Sequence, residues 1–212
     1  FVKKHASEML VATSVGTSVN HGIAQKRSLT GNGAWRGRTL QEAVALQWGS
    51  GMPLPNVNMG TDGYAERGTD DSLPLSCFGE PVVNPSLWPL GLDGSRGIAG
   101  APPKDVIALA RGARDALDQK SIFGRTFQDS GALRRWNEQR GVQQPKLEAL
   151  DLITRLNVLP DLPSIPLSKY GLESSPDGAR LREVFPGFFT DPVQGQAALA
   201  FLLLKYRVSV SV

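Results

Sequence analysis

The end of the sequence joins a long apolar helix directly to a strand pattern, and this join constrains the fold most. Asp191-Pro192 predicts a helix start, because Asp can cap the first free N–H groups and Pro suits the first turn. The helix should run to about Tyr206 and be well buried, since it is apolar over most of its circumference. Val208 to Val212 alternates valine with serine, which predicts a central strand. We therefore expect helices packed on a sheet.

The beginning of the sequence shows the reverse order, a strand followed by a helix. Met9 to Ser14 predicts a buried strand, and a polar loop leads from it to Asn20. Asn20 should cap a helix from His21 to Thr30, because its side-chain oxygen can accept the first free N–H groups. Strand-then-helix and helix-then-strand together predict an α/β fold, a sheet flanked by helices, in a single domain over residues 1–212. Open sheets of this class bind ligands at such junctions.

A second capped helix and two short strands are predicted next. Thr39 and Glu42 have the spacing of a capping box, so a helix should begin after Thr39. Its apolar residues Leu40, Val44 and Trp48 recur at helical spacing, which predicts a core-facing side. Short strands are predicted at residues 56–59 and 81–83. Residues 60–101 are otherwise rich in Gly, Pro, Asp and Ser, and a loop of this length predicts an irregular cap or lid.

Three helices in series are predicted in the second half of the chain. The first runs from about Lys104 to Lys120, after a Pro-Pro pair, and the others over residues 127–140 and 146–157. Apolar residues recur at helical spacing in each of them, and these residues are expected to face inward. The expected inward set is Val106, Leu109, Ala110, Ala113, Leu117, Leu133, Trp136, Leu147, Leu150, Ile153 and Leu156.

Composition excludes several classes of protein and site. The chain has 212 residues, 41% hydrophobic and 20% charged, and no apolar run long enough to span a membrane. Its net charge of +3 is spread along the sequence, whereas a nucleic-acid-binding protein usually carries a dense basic stripe, so no nucleic-acid partner is expected. The single cysteine, Cys77, excludes an internal disulfide. Because the sequence starts without Met and stops on a strand pattern, we expect an interior piece of a longer protein.

Several of these residues together resemble a known family. Met9 to Ser14, Asn20-His21-Gly22, Leu29-Thr30-Gly31 and the unit Gln196 to Val212 are similar, in order, to a bacterial family of exported proteins. That family carries a twin-arginine signal, has no known function, and is grouped with the alkaline phosphatase and sulfatase superfamily. The resemblance implies an incomplete alkaline-phosphatase-like α/β/α sandwich. It also implies a periplasmic or secreted location.

The resemblance also implies a site and a chemistry. In the phosphodiesterase branch of the superfamily a nucleophilic Thr precedes an Asn-His pair, and Thr17, Asn20 and His21 match that spacing. Thr17 is then the nucleophile and Asn20 stabilises negative charge, while a divalent metal of unknown identity lowers the hydroxyl's pKa. The substrate would be a small anionic phosphate or sulfate ester. The Thr30-Gly31 pair lies three residues later than in that branch.

Other interpretations of the same residues stay open. Ser18 offers the same chemistry as Thr17, and Asn20 and His21 are also what an ordinary helix start contains. A non-catalytic envelope or assembly protein could retain the fold without the chemistry. A structural subunit of a larger complex is a third hypothesis.

Overall fold

The computed structural model describes residues 6–8, 19–30, 39–59, 77, 79–92 and 102–212. These residues form a mixed α/β structure that is mainly helical and contains a small parallel sheet. The helices are α1 His21–Thr30, α2 Leu40–Trp48, α3 Lys104–Lys120, α4 Ile122–Thr126, α5 Gly131–Ala149, α6 Leu152–Leu156, α7 Gly178–Val184 and α8 Pro192–Lys205. Short 3-10 turns cover Ala6–Glu8, Trp88–Gly91 and Ser168–Tyr170, and the strands are β1 Val57–Met59 and β2 Glu80–Val82. The mixed α/β class is confirmed, and the α/β/α sandwich stays a prediction.

Strand β1 lies between two parallel neighbours. On one side β2 pairs with it in parallel register, from Val57 opposite Glu80 to Met59 opposite Val82. On the other side the end of the chain runs parallel to it, through a bridge between Asn56 and Ser211. The backbone N–H of Val57 donates to the carbonyl oxygen of Ser211 at 2.9 Å. The two short strands predicted near residues 56–59 and 81–83 are thus confirmed to within a residue.

The central strand predicted at residues 208–212 is wrong, because the chain bends at Val208 and Val210 and forms a single parallel bridge, from Ser211 to Asn56. The backbone N–H groups of Val210 and Ser211 both donate to the carbonyl oxygen of Pro55, so the ladder does not continue. The hydroxyl of Ser209 also donates to this carbonyl, at 3.0 Å. Ser209 and Ser211 are buried while Val210 is half-buried. The valine–serine alternation therefore does not separate an inner from an outer face here, and the buried Ser209 hydroxyl is matched by the backbone carbonyls of Pro55 and Ser211.

The core forms where α6 and α8 pack together over the small sheet. Fully buried leucines of both helices meet the valines of the strands and Val208. Burying one such side chain contributes about 1.5–3 kcal/mol, so this cluster dominates the stability of the described fold. The cluster contains Val57, Val82, Leu152, Leu156, Val158, Leu159, Leu167, Leu181, Phe188, Ala198, Leu199, Leu202, Leu203 and Val208.

Helix α8 begins as the sequence predicts. The Asp191 side chain accepts from the backbone N–H of Val193 at 2.9 Å, and Pro192 occupies the first turn. Its buried side is narrower than expected, because Phe201 and Leu204 are about half exposed. The helix ends at Lys205 with Tyr206 as its C-cap, and Arg207 then adopts a left-handed conformation, with φ 53°.

Helix α2 has the predicted start but buries the opposite side. The Thr39 hydroxyl accepts from the N–H of Glu42, and the Glu42 carboxylate accepts from the N–H of Thr39 at 2.8 Å, which confirms the capping box. The predicted core face is wrong, since Leu40 is 72% exposed and Trp48 is 64% exposed. Thr39, Glu42 and Ala45 are buried instead. The capping box folds Glu42 back onto Thr39, and this compact polar end packs inward.

The first of the three predicted helices of the second half is confirmed as α3, Lys104–Lys120, and the other two have different boundaries. The helix predicted for residues 127–140 begins later, at Gly131 in α5, and residues 127–130 form the turn between α4 and α5. Helix α5 continues through position 145, so the Gln144-Pro145 pair does not separate two helices. The third predicted helix is shortened to α6, whose Leu152, Ile153 and Leu156 are buried.

The predicted burial of α3 is wrong. Its apolar stripe, defined here as Val106, Leu109, Ala110, Ala113 and Leu117, is exposed along its whole length. Trp136 on α5 is also about half exposed. Among the described side chains of residues 102–149, none is buried.

Other predictions fall on residues that are not described. The buried strand at Met9 to Ser14 lies outside the described residues, as does most of the cap predicted for residues 60–101. No helix within the described ranges is both long enough and apolar enough to cross a membrane.

Candidate functional site

The predicted site maps onto the start of helix α1. Thr17 and Ser18 lie outside the described residues, whereas Asn20 and His21 occupy the helix start. The Asn20 side-chain oxygen accepts from the backbone N–H of Ile23 at 3.3 Å, and its carbonyl oxygen accepts from Ala24 at 2.9 Å. Asn20 therefore caps the helix, as the sequence predicts.

The imidazole of His21 is exposed at this helix start. Gly22 and Ile23, which complete the first turn, are exposed as well, and no acidic residue lies in that turn. The free N–H groups of a helix start carry a partial positive charge that favours an anion. Asn20 and His21 are thus adjacent at a solvent-facing, electropositive end.

A divalent metal needs more ligands than this helix start supplies. Protein sites for catalytic zinc use three side chains, and Ca²⁺ takes six or more oxygen ligands. Within the described ranges, no group of three or more His, Cys, Asp or Glu side chains could hold a metal ion. Among Asn20, His21 and the first turn, His21 is the one typical ligand, so the described part does not fit a complete metal site.

The carboxyl ends of β1 and β2 define a second possible ligand position. Open α/β sheets bind ligands beyond the carboxyl ends of their strands. Asn84, just beyond β2, bonds through its side-chain oxygen to the backbone N–H and the hydroxyl of Ser86, and it therefore shapes a turn. The end of the chain lies on the other side of β1, through the bridge between Asn56 and Ser211. The sequence patterns did not predict this placement.

An ionic cluster joins the ends of α7 and α8. The Lys205 ammonium donates to both carboxylate oxygens of Asp177, at 2.6 and 2.7 Å, and the Tyr206 hydroxyl donates at 2.9 Å. The hydrogen bond from Lys205, supported by that from Tyr206, lowers the pKa of Asp177 below its ordinary value. The same bond raises the pKa of Lys205. Since these charges satisfy one another, the cluster ties two helices together and offers no unmatched group to a ligand.

A cavity of about 490 Å³ lies between α3, α4 and α5. In its wall the Arg140 guanidinium bonds to Asp115 at 2.7 Å and to Asp118 at 3.4 Å. The same guanidinium lies 4.4 Å from the ring centre of Trp136. Arg140 is already matched by two carboxylates and an aromatic face, so it joins two helices.

Comparisons with known proteins leave the family open. The resemblance to the alkaline phosphatase and sulfatase superfamily therefore stays a prediction from the sequence. No family model, no curated protein and no solved structure matches the chain.

Proposed function

We propose that this chain belongs to an exported bacterial protein that hydrolyses phosphate or sulfate esters and needs a divalent metal. The observation that supports the proposal best is the parallel pairing of β1 with β2, together with the bridge that joins the end of the chain to the other side of β1. Open α/β sheets with parallel strands bind ligands beyond the carboxyl ends of those strands. An electropositive helix start with an exposed His21 adds a second feature suited to an anionic ester.

The roles follow from the chemistry of the side chains. The Thr17 hydroxyl loses its proton to solvent and attacks phosphorus or sulfur, the bond to the ester alcohol breaks, and the alcohol leaves with a proton from water. Water then cleaves the bond between Thr17 and the phosphoryl or sulfuryl group, which releases phosphate or sulfate and restores the hydroxyl. Ser18 is the alternative nucleophile. Asn20 donates its amide N–H to the developing negative charge, while its oxygen caps α1. His21 donates a ring N–H to a non-bridging oxygen of the ester. The metal would lower the pKa of the attacking hydroxyl, with ligands beyond those that the described residues supply.

A hydrolysis assay tests this proposal. The chain is incubated with p-nitrophenyl phosphate, bis(p-nitrophenyl) phosphate or p-nitrocatechol sulfate, each with Zn²⁺, Mn²⁺ or Ca²⁺. We expect metal-dependent turnover of one substrate, lost by about 10³-fold or more in Thr17→Ala. Asn20→Ser keeps a capping side chain but removes the amide, so it separates catalysis from helix capping.

The matched control is Ser28→Ala, because Ser28 is an exposed hydroxyl on the same helix. Its activity should equal that of the unmodified chain. Turnover that is absent with all three substrates and all three metals contradicts the proposal for this chain. Turnover that survives in both Thr17→Ala and Ser18→Ala contradicts the assigned nucleophile.

The exposed helices of residues 102–149 favour a second candidate function, assembly into a larger complex. A non-catalytic envelope or assembly protein, or a structural subunit, would use such helices to contact other chains. The stripe on α3 is a continuous exposed apolar side within this region. Native extracts of the source cell separated by size should then show the protein in a large species that Leu109→Glu disrupts, and a protein that elutes alone contradicts this candidate.

A further inference from the structure

Helix α3 is amphipathic, yet its apolar side faces solvent. Leu109 is 75% exposed and Leu117 is 67% exposed, and Ala113 between them is exposed too. At about 100° per residue, the α3 stripe covers one continuous side of the helix. Exposed apolar stripes of this kind mark sites of protein association.

The polar side of α3 is tied to α5 by ion pairs. Arg140 of α5 bonds to Asp115 and Asp118, which lie on the side of α3 opposite the stripe. Ile107 and Arg111, on that same side, are less exposed than the stripe. Rotating the stripe inward would break both contacts of Arg140, so the fold presents the stripe outward.

We propose that the α3 stripe pairs with the α3 stripe of a second copy of this chain, in antiparallel orientation. The charges at the two ends of the helix favour an antiparallel pair of two copies. Asp105 lies at the first turn and Lys120 at the last, and both lie on the same flank of the stripe. An antiparallel two-fold pair brings Asp105 of each copy next to Lys120 of the other, whereas a parallel pair opposes like charges.

Small residues allow the two helices to approach at the centre. A two-fold axis near Ala113 sets Ala113 against its own copy and Leu109 against the partner's Leu117. Arg114 is the charged residue nearest to this axis, and it is already paired with Asp115 at 3.1 Å. The repulsion between the two copies of Arg114 is thereby reduced.

A groove beside the stripe has the size and chemistry to accept the partner's leucine. It measures about 260 Å³ and is lined by residues of α3 and by Pro102, with Val106 and Ala110 on the side of the stripe. In the antiparallel pair the partner's Leu117 lies level with these two residues. Each copy would then insert Leu117 into the groove of the other, so the surface is self-complementary.

Sedimentation velocity of the purified 212-residue chain at about 1–100 µM tests the pairing. We expect a reversible dimer, because one helix pair forms a small interface of modest affinity. Leu109→Glu and Leu117→Glu should each raise the dimer dissociation constant at least about tenfold, since each places a charge in the apolar contact. Leu40→Glu is the matched control, because Leu40 is equally exposed on α2, and it should leave the constant unchanged.

Charge reversal tests the orientation. Asp105→Lys and Lys120→Asp should each weaken the dimer about threefold to tenfold, and the double variant should restore it. Circular dichroism of each variant checks that α3 remains helical.

A chain that stays monomeric at 100 µM overturns the proposal, as does a dimer that Leu109→Glu does not weaken. A double variant that fails to recover overturns the antiparallel order. The inference deepens the assembly candidate and is independent of ester hydrolysis. A large species in extracts combined with a purified monomer would support assembly through a different partner and overturn the self-pairing alone.

Discussion

Helices α3 and α8 differ in whether their apolar residues are buried in the core or exposed to solvent. Helix α3 has the sharper division into apolar and polar sides, yet it has no buried residue. Helix α8 is apolar on most sides, and it buries Ala198, Leu199, Leu202 and Leu203 in the core. An amphipathic pattern therefore indicates that a helix has a partner surface, but it does not indicate whether that surface belongs to the same chain.

The same substitution made in both helices is the most direct test of this difference in burial. Leu202→Ala in α8 should reduce the free energy of unfolding by about 3 kcal/mol, because it leaves a cavity in the core. Leu109→Ala in α3 should change it by less than about 0.5 kcal/mol, since that side chain is largely in solvent. Urea unfolding of both variants at low micromolar concentration measures the difference. Equal losses would mean that the stripe is buried in the monomer.

Glycine-to-alanine changes should have opposite signs near the core and in the exposed helices. A Cβ on Gly49 would clash with the carbonyl oxygen of Ala45 and would lie 2.5 Å from the Cβ of Pro55. Gly49→Ala should therefore cost about 1–3 kcal/mol of unfolding free energy.

The counterpart is Gly112→Ala in the middle of α3, where a Cβ meets open space. It should stabilise the helix by about 0.5–1 kcal/mol, because glycine loses more backbone entropy than alanine. Circular dichroism during thermal unfolding gives both values. A destabilising Gly112→Ala would show that α3 is packed on that side.

The smallest expected effect concerns the ion pair that joins the ends of α7 and α8. The pKa of Asp177 is lowered mainly by its hydrogen bond from Lys205, so its contribution to stability is present above the ordinary pKa near 4. That contribution is lost as the pH falls through the lowered pKa of the folded state. The free energy of unfolding should thus decrease between about pH 5 and pH 3, and Asp177→Asn should flatten this part of the curve.

Glu183→Gln is the control for the pH series, because the Glu183 carboxylate is exposed and pairs only with Arg180 among the described contacts. Its pH curve should follow that of the unmodified chain. An Asp177→Asn curve as steep as the original would show that the Lys205 contact does not form in solution.

Local chemistry at helix ends was the most predictable part of this molecule. Asn20, Thr39 with Glu42, and Asp191 each begin a helix where the sequence predicts one. These predictions succeed because a cap bonds to backbone groups two or three residues away, so the contact is decided within one short segment. For the candidate site, the same principle explains Asn20, while the position of His21 relative to a ligand depends on other segments.

The sequence by itself determined the mixed α/β class, the capped helix starts and the two short strands β1 and β2. Only the tertiary structure decided which helix sides are inside. It exposed Leu40 and Trp48 because the capping box of α2 packs inward, and it exposed the α3 stripe because Arg140 holds Asp115 and Asp118 toward α5. The physical reason is that the hydrophobic effect is non-directional. Contacts between residues distant in sequence therefore decide which side of a helix is buried.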